Sequence, residues 1–264
     1  MIIGELINTS RKLIFEAVEN KNTEYISQIA RAQVEAGADY IDINCGTMIG
    51  SEPEMMRWLV ETVQEAVQIP LCIDSPDAHT LDVGLSLARY GQPMINSISA
   101  EKERYERVLP LILKYKAKVV ALCMDDQGMP KNQENRLRIV RNIVPNLVEA
   151  GVLMGDIYLD PLIMPVGTND QSAVQILDTL HQIKAEFPEV NTVCGLSNVS
   201  YGLPNRKMLN QTFMIQTMAA GMDAYILNPL DRAMMGFYVS SKVLMGKDEH
   251  CLQYITAYRD GLFN

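Results

Sequence analysis

Short apolar runs alternate along this chain with longer segments of helical period. The runs lie at Ile2–Ile7, Tyr40–Ile43, Pro70–Ile73, Pro93–Ile95, Lys118–Met124, Ile157–Leu159, Thr192–Leu196 and Ala224–Leu227, and their length and composition predict strands. Between them, segments beginning at Thr23, Glu54 and Gln171 repeat apolar residues at helical spacing, as a helix packed on a core does. Gly37, Gly91, Gly151 and Gly221 fall where helices should end, since a residue without Cβ takes the left-handed stop at no steric cost. Strands alternating with helices imply parallel strands joined by crossovers. Eight such units close into a single α/β domain, a (β/α)8 TIM barrel spanning residues 1–264. A doubly wound open sheet is the alternative, but the Gly-x-Gly-x-x-Gly turn it would carry is absent.

Composition narrows the picture. The 264 residues suit one barrel, which typically takes about 250. A formal net charge of −9 repels phosphate backbones and argues against a nucleic-acid partner. No apolar run is long enough to span a membrane, and the opening MIIGELINTSRK has no basic lead-in, so a secretory signal is not expected. Five scattered cysteines without a CxxC pair fit a reducing, cytoplasmic setting. Three separated histidines give no metal-ligand set, so no metal is expected.

Each of the eight runs finishes in an Asn or Asp: Asn8, Asn44, Asp74, Asn96, Asp125, Asp160, Asn198 and Asn228. Any one of them could be a turn-former or helix cap. As a set they predict a barrel mouth of carboxylates and carboxamides, nearly free of Lys, Arg and His, at the end where active sites of this fold sit. Such a ring suits a hard metal or a neutral heterocycle rich in N–H donors and acceptors, such as a pterin. Spacing alone leaves both open.

The ordered segments GELIN (Gly4–Asn8), DIN-x-G (Asp42–Gly46), CIDS (Cys72–Ser75), INS-x-S-x-E (Ile95–Glu101), DPLI-x-P (Asp160–Pro165) and GLSNVS (Gly195–Ser200) resemble the methyltetrahydrofolate:corrinoid protein methyltransferases. That family includes the acetogenic enzyme acting on the corrinoid/iron–sulfur protein and the second methyltransferases of anaerobic O-demethylases. The resemblance implies a pterin-binding barrel that moves the N5-methyl group between methyltetrahydrofolate and the cobalt of a corrinoid protein, in either direction. It assigns Asp74, Asn96 and Asp160 to the pterin ring, with Asp160 bidentate to N3–H and the 2-amino group. Asn198 would stand beside N5 as the catalytic residue, Gly195 and Ser197 would shape the floor, and Arg206 would lie near the folate tail. Glu5, Asn8, Asp42 and Asn44 would support the mouth, while Tyr201 departs from the glutamine of the acetogenic enzyme.

The corrinoid would arrive on a partner protein, because Asp77-Ala78-His79 lacks the glycine that completes an Asp-x-His-x-x-Gly carrier signature. A homodimer is implied by the resemblance alone. The cluster Met214, Met218, Met222, Met234 and Met235 reads as adaptable core or a dimer face. Two alternatives stand beside the methyltransferase reading. One is a non-catalytic folate-binding or carrier-docking barrel. The other is an enzyme like dihydropteroate synthase, although GLSNVS lacks the lysine that enzyme should carry at the pterin.

Overall fold

The computed structural model describes residues 1–263. Its strands are β1 (Ile2–Asn8), β2 (Tyr40–Asn44), β3 (Leu71–Asp74), β4 (Met94–Ala100), β5 (Lys118–Asp125), β6 (Ile157–Asp160), β7 (Asn191–Gly195) and β8 (Ala224–Leu227). They close into a barrel in sequence order, every neighbouring pair parallel, with β8 returning to β1. All eight predicted runs are strands, with shifted ends. Pro70 and Pro93 stand just outside β3 and β4. The seventh strand stops at Gly195 because Leu196–Ser200 winds into a 3-10 turn.

The helices are α1 (Lys12–Glu19), α2 (Thr23–Glu35), α3 (Glu52–Ala66), α4 (Ala78–Leu87), α5 (Lys102–Tyr115), α6 (Gln133–Glu149), α7 (Ser172–Glu186), α8 (Arg206–Ala220), α9 (Arg232–Leu244) and α10 (Leu252–Arg259). Gly37, Gly151 and Gly221 follow α2, α6 and α8 at positive φ, while Gly91, also at positive φ, lies further beyond α4. Asp77 caps α4 by accepting the Thr80 N–H at 2.8 Å, and His79 is exposed. Among the described residues, no helix is long and apolar enough to cross a membrane.

Side chains of alternate strand residues fill the barrel in layers. One buried layer is Ile3, Tyr40, Cys72, Met94, Val120, Tyr158, Val193 and Ala224. Two residues further along each strand, on the same face, come Glu5, Asp42, Asp74, Asn96, Leu122, Asp160, Gly195 and Ile226. The barrel therefore changes from an apolar plug to a polar mouth within one layer. Outside the strands, Met214, Met218, Met222, Met234 and Met235 are buried in the core under α8 and α9, which decides for core over dimer face.

The Gly4 of GELIN has a packing reason. The β1–β2 register slips between Gly4 and Ile7, and the Leu6 N–H donates to Gln33 Oε1 at 3.0 Å. A Cβ on Gly4 would collide with that carboxamide, so only glycine lets α2 support the irregular strand.

Candidate active site

A cavity of about 290 Å³ opens at the C-terminal ends of β3, β4 and β5, walled by Asp74, Ser75, Asn96, Ser97, Arg104 and Leu122 among others. Asp74 and Asn96 are register partners on adjacent strands, so alternation brings both side chains to one wall. Behind them, Asn44 Nδ2 donates to Asp74 Oδ2 at 2.8 Å, and Asn96 Nδ2 donates to Asp42 Oδ1 at 3.3 Å. The Ser75 hydroxyl donates to Glu52 Oε1 at 2.6 Å, and the Ser99 hydroxyl to Glu101 Oε2 at 2.8 Å.

The mouth is less free of cations than its strand ends predict. Arg104, from α5, donates through Nη2 to the Ser75 carbonyl at 2.9 Å and through Nε to the Ser97 carbonyl at 2.9 Å, and also reaches the Pro76 carbonyl. Arg136, from α6, is buried and donates to the carbonyls of Pro161 at 2.7 Å and Leu162 at 3.2 Å. Arg104 ties the ends of β3 and β4 together by their backbone carbonyls, and Arg136 holds the loop after β6 in the same way. They come from helices, where a linear reading of strand ends does not look.

Burial dominates the titration of the three acidic groups. It raises the Asp74 carboxyl to about 6, against the opposing Asn44 hydrogen bond and the charge of Arg104. Burial likewise raises Asp160 to about 6, opposed by the Leu162 N–H and by Arg136. Asp42 is pushed well above the carboxylate range by burial first and by the neighbouring Asp74 second. Asp74 and Asp160 are therefore protonatable acceptors close to neutral pH, an arrangement typical of functional sites.

The recurring Asx ending divides into two roles. Asn8, Asn44, Asp125, Asp160 and Asn228 each accept, through Oδ1, the backbone N–H two residues on, at 2.8–3.0 Å. Five of the eight are therefore Asx turns, and the expectation of eight ligand-facing groups is corrected. Asp160 has both roles: one oxygen holds the turn to Leu162, while alternation aims the side chain inward. Asp74 and Asn96 make no such turn and are committed to the cavity wall.

Asn198 lies in the 3-10 turn after β7 and is exposed. A Cβ at Gly195 would meet its Nδ2 at 3.4 Å, an ordinary van der Waals contact, so the carboxamide lies directly over the end of β7. Among the described residues, nothing hydrogen-bonds the Asn198 side chain, while its carbonyl accepts the Tyr201 N–H at 3.2 Å. Ser197 contributes its backbone carbonyl, which accepts from Arg206 Nη2 at 2.7 Å; Arg206 Nε also reaches the Ser200 hydroxyl at 3.1 Å. Arg206 thus clasps the turn that carries Asn198. Asp74 and Asn96 share the cavity; Asp160, Gly195 and Asn198 belong to the next strands around the mouth.

The family model described as "Pterin binding enzyme" matches residues 4–228. The chain belongs to the pterin-binding enzyme family. This pterin-binding enzyme is 35% identical over 264 residues to the methylcorrinoid:tetrahydrofolate methyltransferase of Eubacterium limosum, covering 99% of this chain and 97% of that one. The resemblance carried by the six sequence motifs therefore extends end to end. It is also 27% identical to the methionine synthase of Mycobacterium leprae over 86% of its own length, spanning 20% of that larger protein. Among solved structures, dihydropteroate synthase of Clostridium difficile superposes with a TM-score of 0.69 at 19% identity, covering 92% of this chain and 95% of that one. The Yersinia pestis enzyme gives 0.67 at 18%, covering 91% and 92%. At such identities these two establish the barrel and nothing about the reaction.

Proposed function

We propose that this pterin-binding enzyme transfers the N5-methyl group between methyltetrahydrofolate and the cobalt of a corrinoid carried by a separate protein. The carrying observation is the 35% identity, over 99% of this chain and 97% of the relative, to a methylcorrinoid:tetrahydrofolate methyltransferase. The site supports it. Asp74, Asn96 and Asp160 offer acceptors to the N–H groups of a pterin, with Asp160 ionised on N3–H and the 2-amino group.

A methyl leaving a tertiary amine would leave N5 as an amide-like anion unless a proton or strong hydrogen bond reaches it. Asn198 has a side chain uncommitted to the described protein and aimed from the turn over Gly195. Its carboxamide donates or accepts by reorienting, so it follows N5 as its charge changes, and a contact that strengthens in the transition state raises the rate. Gly195 and Ser197 shape the floor beside it. The partner's corrinoid supplies the cobalt that accepts or gives the methyl group. Exposed Ile49, Tyr201 and Leu230, on loops after β2, β7 and β8, provide an apolar rim suited to a docking carrier.

A reducing cytoplasm is part of the same proposal, and five free cysteines support it. A homodimer through exposed Leu244, Leu252 and Tyr258 of α9 and α10 completes the reading. Mixing the enzyme with methyltetrahydrofolate and Co(I) cobalamin and following the cobalt spectrum tests the function. Methylcobalamin formed at an enzyme-dependent rate supports it. Folate binding without transfer would instead identify a folate-binding barrel.

A further inference from the structure

Two polar residues of β2 reach the cavity only through other side chains. Asp42 is buried and accepts from Asn96 Nδ2 at 3.3 Å. Asp74 and Glu5 are the charged groups around it, and the buried Cys72 thiol stands beside it. Asn44 accepts the Gly46 N–H on Oδ1 at 3.0 Å, which forces its Nδ2 toward Asp74 Oδ2 at 2.8 Å. The two hydrogen bonds fan out from one strand, Asn44 to the adjacent β3 and Asp42 past it to β4.

A carboxamide is ambiguous, since rotation about its last bond exchanges a donor for an acceptor. Asn96 loses that ambiguity when Nδ2 is tied to Asp42. Its Oδ1, which has no donor among the described residues, is left for the cavity. Asp74 has the same asymmetry: Oδ2 is occupied by Asn44, and Oδ1 is free of hydrogen bonds from the described residues. We propose that Asp42 and Asn44 are positioning residues that fix the Asn96 carboxamide and the Asp74 carboxylate as adjacent acceptors, so that this wall selects a ring edge carrying N–H donors. The inference rests on the folate reading of the site and adds to it the residues that set its polarity.

The role is intermediate, so the test is a double-mutant cycle read by calorimetry with methyltetrahydrofolate. Asp42→Leu removes the acceptor at similar volume; it should weaken binding about tenfold in the wild-type background and less than about twofold in an Asn96→Ala background. Asp42→Asn keeps an acceptor oxygen and should stay within about threefold of wild type. The loss should fall on affinity more than on the rate at saturation. Should Asp42→Leu fail to fold, Asn44→Ala against Asp74→Ala forms the same cycle at a less buried site. Additive losses within whichever cycle is measured, or an Asp42→Leu protein that binds like wild type, overturn the proposal. A ligand-free readout separates it from the functional reading. In ¹⁵N-asparagine-labelled apoprotein, the Asn96 side-chain amide should shift on Asp42→Asn, and an unmoved signal overturns the positioning role even where folate binds. A wild-type protein that binds no methyltetrahydrofolate overturns the functional reading, and the amide shift then decides the positioning claim by itself.

Discussion

Arg206 Nη2 donates to the Ser197 carbonyl across 2.7 Å, tying the first turn of α8 to the 3-10 turn that presents Asn198. The guanidinium also lies 5.9 Å from the centre of the Tyr201 ring. Sequence resemblance puts this arginine near the folate tail, and the hydrogen bonds give it a second task on the turn itself. Arg206→Ala should slow methyl transfer by about tenfold, through the loss of its two hydrogen bonds to the turn. The loss should be equal for methyltetrahydrofolate and for a methyltetrahydropterin lacking the glutamate tail. A defect confined to the tailed substrate would assign Arg206 to the tail instead.

Asp160→Asn separates binding from stability. The substitution turns one acceptor facing two ring donors into an N–H, so methyltetrahydrofolate affinity should fall about ten- to a hundredfold. Apoprotein stability should move the other way. The Asp160 carboxyl is raised by burial to about 6. Its contribution to folding is therefore full below the unfolded value and lost as pH rises through about 6. At pH 7.5 the wild-type apoprotein bears the cost of a buried charge, and the asparagine variant should be more stable by roughly 1–3 kcal/mol. Urea unfolding of both apoproteins at pH 7.5 checks the sign. A destabilised variant would mean that the Leu162 turn outweighs the desolvation.

The same carboxyls predict a pH dependence of binding. Asp74 and Asp160 are both raised to about 6 by burial, and the ring N–H donors require the ionised forms. Affinity should be flat above pH 7 and weaken by about tenfold for each carboxyl between pH 7 and 5. Calorimetry in buffers of different ionisation enthalpy should show proton release on binding near pH 6. An affinity constant from pH 5 to 8 would remove both carboxyls from the ring contacts.

The barrel is legible in the sequence because each strand is a compact apolar run between amphipathic segments, and tertiary packing does not override that pattern. The mouth is legible only in part. Asn and Asp at a strand end serve a turn and a ligand by the same hydrogen-bonding chemistry, so Asn8, Asp125 and Asn228 look like Asp74 and Asn96 until their partners are seen. Strand parity carries the missing signal: Asp42, Asp74, Asn96 and Asp160 each stand two residues beyond a plug residue, Tyr40, Cys72, Met94 or Tyr158. Arg104 and Arg136 carry no such mark. They sit on helices, and only the fold brings their guanidiniums to the loops around the site. Likewise the shift from strand to 3-10 turn at Leu196 is hidden inside an apolar stretch that continues the strand's pattern.

Single-turnover transfer from methyltetrahydrofolate to Co(I) cobalamin, run at saturating folate with wild type and Asn198→Ala side by side, tests the account most directly. Asn198 is exposed and its side chain supports no described hydrogen bond, so the variant should fold normally. Folate affinity should change only modestly, because Asp74, Asn96 and Asp160 still hold the ring. The transfer rate should fall about a hundred- to a thousandfold, the effect of removing one hydrogen bond made in the transition state. A variant that binds folate and transfers the methyl group at the wild-type rate would contradict the account.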